Sequence, residues 1–175
     1  VGYVIVRYRK GGILRRLKAA PINAFQFLSA QVLSRLLIVM FVTSILFIGS
    51  YLLLDIYVFG SIFNLLLVFL LGSFCMISLG MVVSSYTHSQ ELAGGLLNFL
   101  TWPMMLLSEI WFSLEGKNIW LQRLANIFPL THLLKAARKI SIDGLSLIDI
   151  APQLLILTLM SIVFIVLAGL LFRWE

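Results

Sequence analysis

The chain has 175 residues, of which 61% are hydrophobic and 11% charged, and its formal net charge is +6. A water-soluble domain of this length could not bury so much apolar surface, so the composition predicts a polytopic membrane protein with an all-α helical bundle. Most of the positive charge lies in one cluster near the start, which argues against a nucleic-acid partner, and the single Cys75 excludes a disulfide within the chain.

The opening residues 1–6 (VGYVIV) are apolar and do not begin with methionine. We therefore expect them to be the end of a preceding span in an N-terminally truncated fragment. Residues 7–25 follow as a basic segment that we expect to form an interfacial helix with an apolar stripe. The stripe consists of Ile13, Leu14 and Leu17, and the charges beside it are Arg9, Lys10, Arg15, Arg16 and Lys18.

Four apolar runs predict membrane-spanning helices over residues 36–54, 60–84, 92–108 and 150–172. The first run has nineteen uncharged residues, which span roughly 28 Å as a helix and match the ~30 Å hydrocarbon core. The third run is shorter, and its Pro103 favours a kink.

The distribution of Lys and Arg predicts the orientation. The segment before the first complete span carries six positive charges and no acid, so it should be cytoplasmic. Counting the crossings places the turn at 85–91 inside, residues 109–149 outside and the C-terminus inside. The outer segment has five basic and four acidic residues, which opposes this orientation only weakly.

Small residues recur at intervals of four or eight along the second span. Small side chains allow helices to approach closely in lipid, so these positions predict helix packing, either within the chain or at a dimer face. The residues are Gly72, Gly80 and Ser84.

The outer segment 109–149 is too rich in Trp, Leu and Phe for a simple soluble loop. Apolar residues at helical spacing around Trp120 predict an amphipathic helix at the interface, with Trp111 also at head-group depth. Pro129 should break this helix, and a second short helix should begin after it with Thr131 as N-cap. The segment then forms a helix-break-helix element that dips into the interface without crossing.

No catalytic or metal-binding arrangement is evident in the sequence. The two histidines, His88 and His132, stand alone, and no H-E-x-x-H or G-x-x-x-x-G-K-[ST] motif occurs. We therefore expect neither metal nor cofactor on this chain, and any ATP to be bound by another component.

The order of these features resembles the membrane subunit of ABC-2 type exporters. The basic stretch R-x-R-K-G-G-I-L-R-R-L-K-A-A-P precedes a span, a tight inner turn leads to a short span ending in L-L-S, and W-F-S-L and I-W-L-Q-R-L-A-N-I-F-P-L-T-H follow, with an arginine several residues on. The resemblance runs from the end of the family's second helix to its sixth, and it rests on the ordered set of features, with no single motif as specific as a Walker loop.

The resemblance implies a permease subunit that forms a homodimer or heterodimer in a bacterial cytoplasmic membrane. It also implies an ABC ATP-binding partner that holds ATP and magnesium and docks on the cytoplasmic coupling helix. The coupling positions would be Arg9, Lys10, Gly11, Ile13, Leu14, Arg15, Arg16, Leu17, Lys18 and Pro21.

The resemblance assigns the outer element to the family's re-entrant helices. Its matching positions are Pro129, Leu130 and Arg138, with His132 directly after the break and Glu109 at the end of the third run. Glu109 departs from the family, because relatives usually have glycine or another small residue there.

Alternative functions stay open at this point. The basic segment could fix the topology, bind anionic membrane lipids or dock an ATPase, and these roles are compatible. A channel or secondary carrier would show intramembrane charges or repeated broken helices, and a membrane enzyme would need polar residues converging from several spans. The sequence offers few such features, and it does not identify a substrate.

Overall fold

The computed structural model describes residues 2–13, 23–54, 58–87, 89–111 and 118–172. Within these ranges the chain forms seven α-helices and no strand. In chain order they are α1 (Gly2–Lys10), α2 (Ala24–Leu54), α3 (Ile62–Tyr86), α4 (Gln90–Leu107), α5 (Ile119–Ala125), α6 (Pro129–Ser141) and α7 (Ala151–Leu171).

Helix α3 lies at the centre of the bundle, where it contacts α1, α2, α4, α6 and α7. Several of its buried residues are small, including Gly72, Cys75 and Ser78. Such residues allow neighbouring helices to approach closely, which is how helices associate in lipid. The composition of α3 therefore explains why the other helices pack around it.

The core consists of two apolar clusters, one toward each end of the bundle. The first joins α3, α6 and α7 through Leu65, Val68, Cys75, Leu133, Ala136, Ala137, Ile140, Ile150 and Leu157. The second joins α1, α2, α3 and α7 through Ile5, Phe27, Leu28, Val32, Ile77, Met81 and Ala168.

Among the described residues, three helices are long and apolar enough to cross a membrane, and they correspond to the predicted spans 36–54, 60–84 and 150–172. They are α2, α3 and α7. Much of their apolar surface faces outward, as at Leu37, Phe41 and Leu170, each more than 60% exposed. Outward apolar side chains are the expected partner of lipid chains, so the chain is a multi-pass membrane protein.

The predicted span over 92–108 forms α4, which is not among those three helices. Its apolar run is shortened by Gln90 and Glu91 in the first turn and interrupted by Asn98 and Pro103. At 18 residues its length is roughly 27 Å, just below the thickness of the hydrocarbon core. That α4 crosses the membrane stays a prediction.

Two helices extend further than the sequence patterns predicted. Helix α1 continues beyond residue 6 through the basic residues to Lys10, and α2 begins at Ala24 instead of near Leu36. No glycine or proline interrupts residues 24–35, so nothing stops the helix before that point. The expected coupling segment 7–25 therefore overlaps the ends of α1 and α2.

The prediction that Thr131 caps the second outer helix is wrong. Helix α6 begins at Pro129, and Phe128 occupies the N-cap position. Proline suits the first helical turn because its φ is already fixed and its missing N–H would have no helical partner there. Thr131 instead lies inside the first turn, fully buried, and its Oγ1 has no hydrogen-bond partner among the described residues.

Candidate functional site: the outer helix pair and the basic segment

Helices α5 and α6, which we call the outer helix pair after their predicted orientation, have the helix-break-helix form expected around Pro129. The apolar side chains of α5 point away from the protein: Ile119, Trp120 and Leu124 are 59%, 67% and 49% exposed. The guanidinium carbon of Arg123 lies 5.6 Å from the centre of the Trp120 ring, a cation–π contact. A short helix with exposed aliphatic and Trp side chains suits the membrane interface.

Helix α6, in contrast, is fixed to the bundle by its apolar face. Leu133, Ala136 and Ile140 are buried against α3 and α7. A Cβ atom built on Gly72 would lie 2.7 Å from Leu133 Cδ2, and one on Gly60 would lie 2.8 Å from Ile140 Cγ2. Both glycines therefore allow α6 to approach α3 and the preceding loop more closely than any larger residue would.

The turn between α5 and α6 is held by Asn126. Its backbone carbonyl lies 2.8 Å from His132 Nε2, and its side-chain oxygen accepts a hydrogen bond of 3.0 Å from Lys135 Nζ. Since a carbonyl oxygen can only accept, His132 Nε2 carries the hydrogen. His132 is only 7% exposed, so its role in this structure is to position the turn.

The structure brings Glu109 and Arg138 together, although they are 29 residues apart. Arg138 Nη1 lies 3.6 Å from Glu109 Oε2, and Arg138 Nη2 donates a hydrogen bond to the backbone carbonyl of Glu109. Arg138 is on α6 and Glu109 follows the end of α4. This contact therefore connects α4 to the helix that packs on α3 and α7.

Glu109 is the one described residue other than glycine with a positive φ, at 63°. Side chains with a Cβ are strained in this left-handed region, which glycine tolerates. The small residue that the resemblance led us to expect at this position would fit that geometry. In this chain the ion pair with Arg138 offsets part of the cost of placing glutamate there.

The turn before α7 is closed by Asp149. Its Oδ2 accepts hydrogen bonds from the Ser146 hydroxyl (2.7 Å) and the Ser146 backbone N–H (2.9 Å). These two bonds favour the ionised carboxylate and hold the pKa of Asp149 below its ordinary value.

The basic segment is described only in part. Helix α1 ends at Lys10, Gly12 has a φ of 68°, and Ile13 is 41% exposed. The side chains of Arg9 and Lys10 lie outside the described part of the structure. The remaining predicted coupling residues lie outside the described residues: Leu14, Arg15, Arg16, Leu17, Lys18 and Pro21.

The small residues of α3 occupy three different environments. Gly72 contacts Leu133 of α6, whereas a Cβ on Gly80 would meet no atom within 4 Å. Ser84 is buried, and its hydroxyl donates to the Met81 carbonyl at 3.0 Å. Open space at Gly80 leaves this position accessible to another helix, so its part in a dimer face stays a prediction.

Sequence reasoning missed two contributors to this region. They are Gly60, which contacts α6, and Asn126, which holds the turn between α5 and α6. For Gly60 the available signal was its place at the first position of the predicted span 60–84, which is too weak to identify the partner. For Asn126, its position three residues before Pro129 was a usable hint of a turn.

The described residues form an all-helical, multi-pass membrane protein in which the short helices α5 and α6 follow α4. The sequence matches the family model described as ABC-2 type transporter over residues 1–142. The chain therefore belongs to the ABC-2 type transporter family and contains its membrane permease domain, a transport component and not an enzyme. Comparisons with curated proteins and with solved structures found no match.

The family membership implies an ATP-binding partner for the permease domain. Among the described residues there is no group of three His, Cys, Asp or Glu side chains that could hold a metal ion. The match ends at residue 142, so α7 is assigned to the bundle by its packing on α3 and α6.

Proposed function

We propose that this chain is the permease subunit of an ATP-driven exporter in a bacterial cytoplasmic membrane. It forms the translocation pathway as a homodimer or heterodimer, and a separate ABC subunit binds ATP and magnesium. The family match supports this proposal most, because it covers α1 to α6, including the basic segment and the outer helix pair.

The connection between the basic segment and the bundle suggests how force could be transmitted. The segment joins α1 to α2, and both helices pack into the apolar cluster that contains Ile5, Phe27 and Met81. That cluster also includes Ala168 of α7. Since tightly packed helices move as units, a push on the segment would tilt α1 and α2 and carry α3 and α7 with them.

A second connection between the helices lies at the predicted outer end of the bundle. Helix α6 packs on α3 and α7, and Arg138 ties it to the end of α4. A change in the tilt of α4 relative to α3 would therefore break or reform this contact. We propose that the outer helix pair changes position when the pathway opens outward.

Docking of the ATPase is tested by charge reversal. Arg15 and Arg16 supply planar donor groups suited to carboxylates, so the double substitution Arg15→Glu and Arg16→Glu should abolish co-purification of the ATP-binding subunit. A control with the same charge change, Lys117→Glu and Arg123→Glu in the predicted outer segment, should retain it. Unchanged co-purification in the first variant would contradict the proposal.

A further inference from the structure

Helix α6 is attached to the start of α3 through its backbone as well as its side chains. The Phe59 N–H, in the loop that leads into α3, donates a hydrogen bond of 3.1 Å to the Ser141 carbonyl at the end of α6. A Cβ on Gly60 would clash with the Ile140 carbonyl, so only glycine allows this approach. The C-terminal end of α6 is therefore held directly against the chain that enters α3.

The same packing extends to α7. One buried apolar cluster contains Leu65 of α3, Leu133 and Ile140 of α6, and Leu157 of α7. Close packing of this kind is what holds helices together in lipid, where no hydrophobic effect acts between them. We call α3, α6 and α7 the central unit, because separating any of them would open voids in this cluster.

Helix α4 is joined to the central unit in a different way. It contacts α1 and α3, but among the described residues neither apolar cluster includes a side chain of α4. Its buried residues are Ala93, Gly94 and Met104, and two of these lie in its first two turns. Trp102 and Leu106, in its second half, are exposed. The second half of α4 is therefore less tightly packed than the helices of the central unit.

Pro103 gives α4 a point at which it can bend. Proline has no N–H, so the helical hydrogen bond to the Phe99 carbonyl cannot form, and the ring crowds the preceding turn. The Thr101 hydroxyl donates to the Leu97 carbonyl at 2.7 Å, a contact that also favours bending. Residues 104–109 can therefore change direction at a lower cost than in an uninterrupted helix.

Beyond this point, a polar contact joins α4 to α6. Arg138 Nη1 lies 3.6 Å from Glu109 Oε2, and Arg138 Nη2 donates to the Glu109 carbonyl. Arg138 is 44% exposed, so water and ions compete for its guanidinium group. The left-handed backbone of Glu109, with a φ of 63°, opposes the contact. This contact should therefore break and reform more readily than the apolar packing that holds α6.

We propose that the contact between Arg138 and Glu109 is a reversible link that holds the end of α4 against α6. The link opens when α4 bends at Pro103, while α3, α6 and α7 stay together. The structure shows the state in which the link is made. Its use in export rests on the proposed function, but the link itself does not require an ATPase.

Two buried thiols can report on the two sides of the link. Ser108→Cys in the Cys75→Ala background places a thiol on the α4 side, directly before Glu109, where the native side chain is 2% exposed. In the native chain, Cys75 is fully buried in the cluster of the central unit. The rate of reaction with N-ethylmaleimide is measured by mass spectrometry for protein in membrane vesicles, without and with MgATP.

Breaking the link should expose the first thiol and not the second. Without MgATP, Arg138→Gln should raise the labelling rate at position 108 about fivefold, the equivalent of about 1 kcal/mol, and leave Cys75 unlabelled. Arg138→Lys keeps the charge but not both contacts, so its rate should lie between those of wild type and Arg138→Gln. Lys139→Gln is the matched control, because Lys139 Nζ lies 3.2 Å from the Gln153 side chain of α7, and it should label like wild type.

Three outcomes would overturn the link. Equal labelling at position 108 in wild type and Arg138→Gln would show that Arg138 does not hold α4. Faster labelling of Cys75 in Arg138→Gln would show that the central unit loosens as well. An equal effect of Lys139→Gln would assign the change to charge and not to this contact.

The arm with MgATP separates the link from the proposed function. If both hold, MgATP should raise labelling at position 108 in the otherwise unaltered protein. A rate that MgATP leaves unchanged, together with the expected effect of Arg138→Gln, would support the link and contradict its use in ATP-driven export.

Discussion

The guanidinium group of Arg138 contacts both the carboxylate and the backbone carbonyl of Glu109. One side chain of α6 thus holds the end of α4 at the point where the backbone adopts a φ of 63°. Arg138 is 44% exposed and Glu109 18%, so the ion pair contributes at most about 1 kcal/mol. The left-handed backbone at Glu109 costs about 1–3 kcal/mol.

This balance predicts opposite effects for two substitutions at Glu109. Glu109→Gly loses the ion pair but relieves the backbone, so thermal stability in detergent should stay the same or rise. Glu109→Ala loses the ion pair and keeps the backbone strain, so it should be about 1 kcal/mol less stable than Glu109→Gly. Thermal unfolding followed by tryptophan fluorescence measures both, and an alanine variant as stable as the glycine variant would contradict the strain argument.

Gly72 and Gly80 should differ in their tolerance of a methyl group. Gly72→Ala places a Cβ against the buried Leu133 side chain, and overpacking of this kind costs about 1–3 kcal/mol. Gly80→Ala meets open space and replaces a glycine inside a helix, so it should raise the free energy of unfolding by about 0.4–1 kcal/mol. Urea or thermal unfolding compares the two.

Rescue by a second substitution tests whether Leu133 is the cause. Leu133→Ala makes room for the new methyl group, so the double variant Gly72→Ala, Leu133→Ala should be more stable than the sum of the single effects. If the stability losses of the two single variants simply add, the methyl group at position 72 does not clash with Leu133.

The predicted orientation can be tested with single cysteines. After Cys75→Ala, Ile13→Cys and Ile148→Cys place thiols at exposed positions, 41% and 84% accessible in the native side chains. A membrane-impermeant maleimide should label residue 148 in intact cells and residue 13 only after the membrane is opened. The reverse labelling pattern would invert the proposed topology.

The pKa of Asp149 should depend on Ser146. Because the Ser146 bonds lower that pKa in the folded protein, they stabilise the turn above the unfolded pKa, and the stabilisation is lost as the pH falls through the folded value. Ser146→Ala removes the hydroxyl bond and should raise the pKa of Asp149 toward its ordinary value. Carboxyl carbon NMR of selectively labelled protein across pH 2–6 (about the range of an Asp titration) measures the shift. An unchanged pKa would show that the backbone bond alone sets it.

The long apolar runs predicted α2, α3 and α7 because twenty or so apolar residues have few alternatives to a membrane helix. The predicted span 36–54 lies inside α2, which extends back to Ala24 because no glycine or proline interrupts the more polar stretch around Gln26 and Arg35. The prediction of a break at Pro129 was correct. Because proline favours the first helical turn, α6 begins at Pro129, and its N-cap is Phe128 and not Thr131.

The contact between Glu109 and Arg138 could not be predicted from spacing. It depends on how α6 packs on α3, which in turn depends on Gly60 and Gly72. Such contacts arise from tertiary packing, and local sequence patterns do not predict them. The resemblance did single out Glu109 as unusual, and its positive φ now gives a physical reason.

Crosslinking from residue 13 tests whether an ATPase docks on the basic segment. Ile13→Cys in the Cys75→Ala background, labelled with a benzophenone maleimide in native membranes, should crosslink to a protein that carries the G-x-x-x-x-G-K-[ST] motif. The same label at residue 148 should not reach that protein. Crosslinks from residue 13 only to lipid or to this chain would show that no ATPase docks on the basic segment.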